Sequence, residues 1–191
     1  MPNYTLMLLL RDLPKYETLL AYSKRYRNVD PTAVEAFLNL LRVASDVLDS
    51  TEQYFVQQGT SQGRFTVLCL LNRNPDVPLC PADLAQRAGV TRATMTGLLQ
   101  GLETEGLVKR SSSDDDKRMF FVELTGKGRR YLDNILPDWF KRVASLMEGI
   151  NDRERSTMLK LLEKVRSRKS VLCNGAHKMD EANPGARPMR S

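Results

Sequence analysis

The chain has 191 residues, 41% hydrophobic and 27% charged, which is room for one domain or a small domain with added helices. Its formal net charge of +6 favours a polyanionic partner. No apolar run reaches the roughly 18 residues that cross a bilayer, and the early YTLMLLL stretch lacks a basic leader and stops at Arg11, Asp12 and Pro14, so a cytoplasmic protein is expected, with neither a membrane span nor a signal peptide.

Residues 1–29 form an apolar extension in which Leu13, Tyr16, Leu19, Leu20 and Tyr26 suggest a short amphipathic helix docked on the fold or on a partner. Asp30-Pro31 opens a long helix, an N-cap oxygen followed by proline at the first helical position. Val34, Phe37, Leu41, Ala44, Leu48 and Phe55 then place an apolar stripe on it to about Gln57. Such a helix is about 40 Å long, more than a small domain needs, and residues 30–58 are assigned to a dimerisation region.

The glycines at 59 and 63 predict a break, followed by a helix over 64–71 with Phe65, Leu68 and Leu71 inward and Cys69 near that face. A turn over 72–78 leads into a very short strand near 77–79. A helix opens at Pro81 and ends at Gly89, with Cys80 as a poor cap and Leu84 and Ala85 as its buried face. Thr91 caps the next helix, lined inside by Met95, Leu98, Leu99 and Leu102 and closed by Gly106. Strands follow over 107–111 and 119–124, with Phe120, Val122 and Leu124 alternating toward the core and a polar loop over 111–117 between them.

Thr125-Gly126 begins a further helix carrying Leu132, Ile135, Val143, Leu146, Met147 and Ile150, in which Pro137 predicts a kink or break. Asn151 and Glu154 make a capping box for a last helix striped by Met158, Leu161, Leu162 and Val165. From Ser170 the chain is Gly-, Pro- and polar-rich, and residues 170–191 read as a disordered tail.

Short helix, glycine turn, capped helix and charged hairpin in succession describe a winged helix-turn-helix over residues 59–125. The fold class is mainly α with a small β wing, flanked by N- and C-terminal dimerisation helices, the latter over 126–169. A winged helix needs about three helices for its core, so the surplus stripes are best buried against a second copy in a two-fold homodimer.

In such a unit the second helix enters the major groove and its N-terminal residues meet base edges. Thr91, Arg92, Ala93, Thr94 and Thr96 suit that role, because small and hydroxyl side chains let the helix approach and Arg92 can contact guanine bidentately. Taken singly, Thr91 could merely cap and Arg92 merely solvate a helix start; the order of elements favours DNA. In the hairpin, Lys109, Arg110, Lys117 and Arg118 are candidate DNA contacts, and the three acids Asp114–Asp116 would repel phosphate unless engaged. Asp116 is expected to hold Arg118, or an arginine near the strand base such as Arg110, and so aim a guanidinium at the minor groove. The alternative is a charged hairpin that only keeps the protein soluble.

Charge placement matters more than the total. Between residues 87 and 118 six basic residues face five acidic ones, whereas from 160 to the end eight face three, so most of the excess lies away from the helix-turn-helix. Three widely spaced cysteines (Cys69, Cys80, Cys173) and the single His177 make neither a disulfide framework nor a metal knuckle, and no metal or cofactor is expected. No paired carboxylates or Cys–His arrangement sit at workable spacing, which argues against an enzyme.

The stretches LAQRAGVTRATMTGLLQGLETEGLVKR and DDKRMFFVELTGKG, and less specifically MEGINDRERSTMLKLLEKV, resemble the multiple antibiotic resistance regulator (MarR) family of bacterial transcription factors. The likeness covers about residues 31–169, and its most specific piece is the wing Asp-Lys-Arg followed by Leu124-Thr125 and Gly128. The resemblance implies a triangular homodimer on a pseudo-palindromic double-stranded operator, usually a repressor, with recognition residues at Thr91, Arg92, Thr94 and Thr96 and a wing pair at Asp116 and Arg118. It also implies release by a small aromatic or phenolic effector, for which Phe37, Leu41, Arg64, Phe65 and Tyr131 are candidates. A branch of the family senses oxidants through a cysteine in the first long helix, where this chain has none. Cys80 is the alternative redox candidate, since a helix N-terminus lowers a thiol's pKa, while Cys69 reads as a core thiol. A winged helix serving only protein–protein contact is the other alternative.

Overall fold

The computed structural model describes residues 12–73, 77, 79–112 and 120–174. Within them the elements are α1 (Tyr16–Arg25), α2 (Pro31–Gln57), α3 (Gln62–Arg73), α4 (Pro81–Ala88), α5 (Arg92–Thr104), β1 (Val108–Ser112), β2 (Phe120–Leu124), α6 (Gly126–Leu146), α7 (Asp152–Ser167) and α8 (Val171–Asn174). This is the mainly helical, winged helix-turn-helix arrangement expected. The described residues fall into two compact units divided within α6, between Leu136 and Pro137.

In the first unit, α2 starts where its cap predicts. Asp30 Oδ1 accepts from the Thr32 and Ala33 amides at 3.0 and 3.2 Å and from the Thr32 hydroxyl at 2.7 Å, satisfying amides that the helix itself leaves unpaired. Of its 27 residues only Tyr54 and Phe55 are buried, while Val43, Val47 and Leu48 stay exposed. α1 packs on α2 and buries Leu19, leaving Tyr16, Leu20, Tyr22 and Tyr26 exposed.

The core lies where α2 ends and α3, α4, α5, β2 and the first half of α6 meet. Phe55, Val67, Leu68, Leu84, Met95, Leu102 and Leu132 are its most completely buried side chains, each worth about 1.5–3 kcal/mol. Phe65 stacks on Phe55 at 4.3 Å between ring centroids. The two strands pair antiparallel, Val108 opposite Leu124 and Arg110 opposite Val122. Leu79 adds a single bridge to Val122 in place of the short strand expected near 77–79.

The break expected at the glycines falls over 58–61, and α3 begins at Gln62, two residues before the expected start, with the Ser61 hydroxyl accepting from the Arg64 amide at 3.3 Å. Of the kink or break expected at Pro137, the break is absent: α6 is continuous from Gly126 to Leu146. The segment read as tail from Ser170 begins with a helical turn, α8; residues 175–191 lie outside the described residues, as do 1–11.

In the second unit, Asn151 and Glu154 form the expected capping box, and Arg155 donates to the Met147 and Ile150 carbonyls at 3.2 and 2.6 Å. α7 buries no residue, and Leu159, Leu161, Leu162 and Val165 stand exposed. Among the described residues no helix is long and apolar enough to cross a membrane.

Candidate nucleic-acid interface

The interface candidate is built from α4, the turn, α5 and the two strands. α4 opens at Pro81, with the Cys80 side chain making no cap hydrogen bond, and turns Leu84 and Ala85 inward. Gly89 then takes φ +68°, the left-handed conformation that a side chain resists, and the Val90 amide reaches back to the Ala85 carbonyl at 3.0 Å. That turn delivers Thr91 to the N-cap of α5.

Thr91 Oγ1 accepts from the Thr94 amide at 3.1 Å and shares a hydrogen bond with the Thr94 hydroxyl at 2.9 Å. Met95, Leu99 and Leu102 anchor the helix's inner face, while Thr91, Arg92, Ala93 and Thr96 lie exposed on the other. Thr96 Oγ1 donates its only proton to the Arg92 carbonyl at 2.9 Å. With that proton used, the exposed hydroxyl has only acceptor capacity to offer, which suits an exocyclic amine. Among the described residues Arg92 has no carboxylate partner. The helix N-terminus therefore presents a cation, hydroxyls and backbone amides at one tip, a combination suited to a phosphate-lined groove.

The base of the wing is organised differently. Lys109 Nζ lies 3.1 Å from Glu123 Oε2, directly across the ladder, and Ser111 Oγ donates to Glu123 Oε1 at 2.8 Å. The Ser111 hydrogen bond, with Lys109 second, holds the Glu123 carboxyl below its ordinary value. Arg110 pairs through Nε with Glu103 Oε2 at 3.1 Å, and its guanidinium carbon sits 4.6 Å over the Phe120 ring. Arg110 thus has a carboxylate on α5 itself. Asp114, Asp115, Asp116, Lys117 and Arg118 lie outside the described residues, and with them the expected role of Asp116 toward Arg118 or Arg110.

The candidate effector residues are not one cluster. Arg64 pairs with Glu105, and Tyr131 Oη donates to the Gln58 carbonyl at 3.3 Å; burial pushes the Tyr131 hydroxyl up, with Glu105 and Arg64 close enough to act on it. Phe37 and Leu41 are on the same unbroken α2 as its C-cap Gln58, but 21 and 17 residues earlier, about 30 and 25 Å along the axis. Within one chain they cannot line a pocket with Tyr131. Phe65 is core, 7% exposed. Cys69 is half-buried and burial raises its thiol pKa, consistent with a core thiol. Among the described residues no group of three metal-ligating side chains exists.

Two residues that pair with cations of the candidate sites escaped the sequence reading, Glu103 and Glu105. The available signal was position: acids at the end of α5 oppose the helix dipole and call for cationic partners.

A family model described as the MarR family matches residues 60–120. The HTH-type transcriptional repressor YetL of Bacillus subtilis is 38% identical over 162 residues, spanning 85% of this chain and 97% of YetL. The fold matches Staphylococcus aureus MepR in its DNA complex, with TM-score 0.61 and 19% identity over 68% of this chain and 93% of that one. It also matches Bordetella bronchiseptica BpsR, whose DNA binding is regulated by 6-hydroxynicotinic acid, with TM-score 0.57 and 26% identity over 67% of this chain and 96% of that one. A helix-turn-helix with an exposed arginine at its tip, a two-stranded wing and a near full-length relative of this identity lead to one conclusion: the chain belongs to the MarR family and is a DNA-binding transcriptional regulator.

Proposed function

We propose that the protein is a homodimeric repressor that sets two copies of α5 into successive major grooves of a pseudo-palindromic operator and is released by a small aromatic acid. The observation that carries the DNA-reading part is Arg92, exposed at a capped helix tip and lacking a carboxylate partner among the described residues. Arg92 reads a guanine; Thr91, Ala93, Thr94 and Thr96 meet neighbouring bases or phosphates. Lys109 and Arg110 flank the groove, and Asp116, Lys117 and Arg118 carry the wing into the adjacent minor groove.

Dimerisation is supported by the apolar side chains that α2, α6 and α7 leave exposed, among them Leu48, Phe140, Leu146, Leu159 and Val165. Repression is supported by the likeness to YetL, and an aromatic acid by the likeness to BpsR. For the effector, Arg64 and Tyr131 supply a cation and a hydroxyl, while Phe37 and Leu41 belong to a separate stretch of α2.

The test is selection of bound duplexes from a random pool by the purified protein, followed by titration with 6-hydroxynicotinic acid and simple phenolic acids. Selected sites should carry two half-sites about 10 base pairs apart, roughly 34–36 Å, and an effective acid should lower affinity for them. A monomeric protein, or one that binds selected and scrambled duplexes equally, refutes the reading.

A further inference from the structure

α5 crosses α3 at two glycines. A Cβ on Gly63 would meet Leu98 Cδ2 at 3.2 Å, and one on Gly101 would lie 2.3 Å from Arg64 Nη2 and 2.9 Å from its Cζ. The Arg64 guanidinium therefore lies against bare α5 backbone at Gly101 and pairs with the Glu105 carboxylate one turn further on. The same residue is held from a second side, because Lys127 Nζ at the start of α6 donates to the Glu105 carbonyl at 2.7 Å. Glu105 is the C-cap of α5, the end of the recognition helix remote from Thr91 and Arg92.

We infer that Arg64 is a positioning residue for DNA recognition: seated on Gly101 and bound to Glu105, it fixes the angle at which α5 leaves the core and hence where Arg92 meets the groove. The inference rests on α5 being the helix that reads DNA. Toward DNA, Arg64 acts through the helix it holds. Gly101 is what makes the arrangement possible, since any β-carbon there would push the guanidinium away.

The sign of the effect separates this role from simpler ones. Glu105→Ala removes a negative charge, and electrostatics alone would then tighten binding to every duplex. A purely structural Gly101 should bring a gain in stability on change to alanine, because alanine is the better helix former, with no cost in recognition. Positioning predicts a loss that depends on DNA sequence in both cases.

The experiment uses the full-length protein and two probes: the best duplex that the wild type selects from a random pool, and a scrambled duplex of equal composition. Gly101→Ala and Glu105→Ala should each weaken binding to the selected duplex about three- to tenfold, as expected for loss of a part-exposed ion pair in each of two copies. Binding to the scrambled duplex should stay within about twofold. The double variant should be no weaker than the worse single, because both break one contact, and the Gly101→Ala melting temperature should hold or rise. Tighter binding by Glu105→Ala, equal losses on both duplexes, or additive losses in the double variant would overturn the inference. Should Gly101→Ala fail to fold, Glu105→Ala decides alone, since that side chain is 41% exposed. A wild type that selects no duplex would instead sink the DNA reading beneath it.

Discussion

Gly128 is where the wing is fastened to α6, and Gly128→Ala tests that joint. The Thr125 hydroxyl donates to the Gly106 carbonyl at 2.7 Å and accepts from the Gly128 amide at 3.0 Å, while the Thr125 amide donates to the Leu107 carbonyl at 3.0 Å. The first turn of α6 is thereby drawn onto the entry to β1. A Cβ at position 128 would stand 2.1 Å from Leu107 O and 3.1 Å from its carbonyl carbon, about 1.2 Å short of the usual carbon–oxygen contact near 3.3 Å. The obstacle is backbone, so no side chain can swing aside and α6 must move off the strand. Overpacking of this kind costs about 1–3 kcal/mol, and disturbing the carbonyl that accepts from Thr125 adds about 1 kcal/mol. Alanine's better helix propensity returns about 1 kcal/mol. A net loss of about 2 kcal/mol should lower the melting temperature by roughly 4–8 °C in a chain of this size. Thermal and urea unfolding at fixed protein concentration read this directly. An unchanged or higher melting temperature would mean that the joint has slack the geometry denies.

Three further outcomes follow from named side chains. Arg92→Ala should cost about 1–3 kcal/mol on the preferred duplex and relax choice at one base position; an equal loss on scrambled DNA would make Arg92 a phosphate contact. Glu103→Gln should release Arg110 to the phosphates and steepen the slope of log affinity against log salt by about one per chain, and an unchanged slope would show that Arg110 stays over Phe120 without its carboxylate. For Asp30, the Thr32 hydroxyl first, then the Ala33 and Thr32 amides, hold the folded carboxyl below its ordinary value of 3.8. A depressed folded pKa gives stability that is present above the unfolded value and lost as pH falls through the folded one. The stability advantage of the wild type over Asp30→Asn should therefore shrink below about pH 4, and an advantage constant through that range would show that the charge is not what caps α2.

What the sequence disclosed was local. Asp30, Thr91 and the Asn151–Glu154 pair announce helix starts because the oxygen and the amides it satisfies lie within three residues of each other. Gly63 set the expected start of α3 two residues late and Gly101 stayed silent, for the opposite reason. Their missing side chains answer to Leu98 and Arg64, which are 35 and 37 residues away in the chain, so propensity reads the first only as a breaker. The partners of Arg64 and Arg110 were hidden likewise: Glu105 is 41 residues from Arg64, and Glu103 is joined to Arg110 only once α5 has turned back at Gly106 into the strand. Phe37 and Leu41 entered the effector candidates through family likeness, and only the unbroken length of α2 separates them from Tyr131.

Among the described residues, the charges around α5 divide between those that lie on a carboxylate and one that does not. Lys109, Arg110 and Arg64 each lie on a carboxylate, and Arg92 at the opposite end of α5 does not among the described residues. Those three pairs are part-exposed, so each is worth no more than about 1 kcal/mol. They cannot be what holds the unit together when single core residues such as Leu84 or Met95 contribute about 1.5–3 kcal/mol apiece. Direction is a different matter. The 13 residues of α5 make a rod about 20 Å long, and a tilt of roughly 5° about its Glu105 end carries the Arg92 end about 1.7 Å sideways. That is more than half the length of a hydrogen bond of about 2.9 Å, enough to take a guanidinium off a base edge. On the inference drawn from Arg64, weak contacts at the far end of the helix govern contacts at the near end, and the acids that oppose the helix dipole there hold the cations that set the aim.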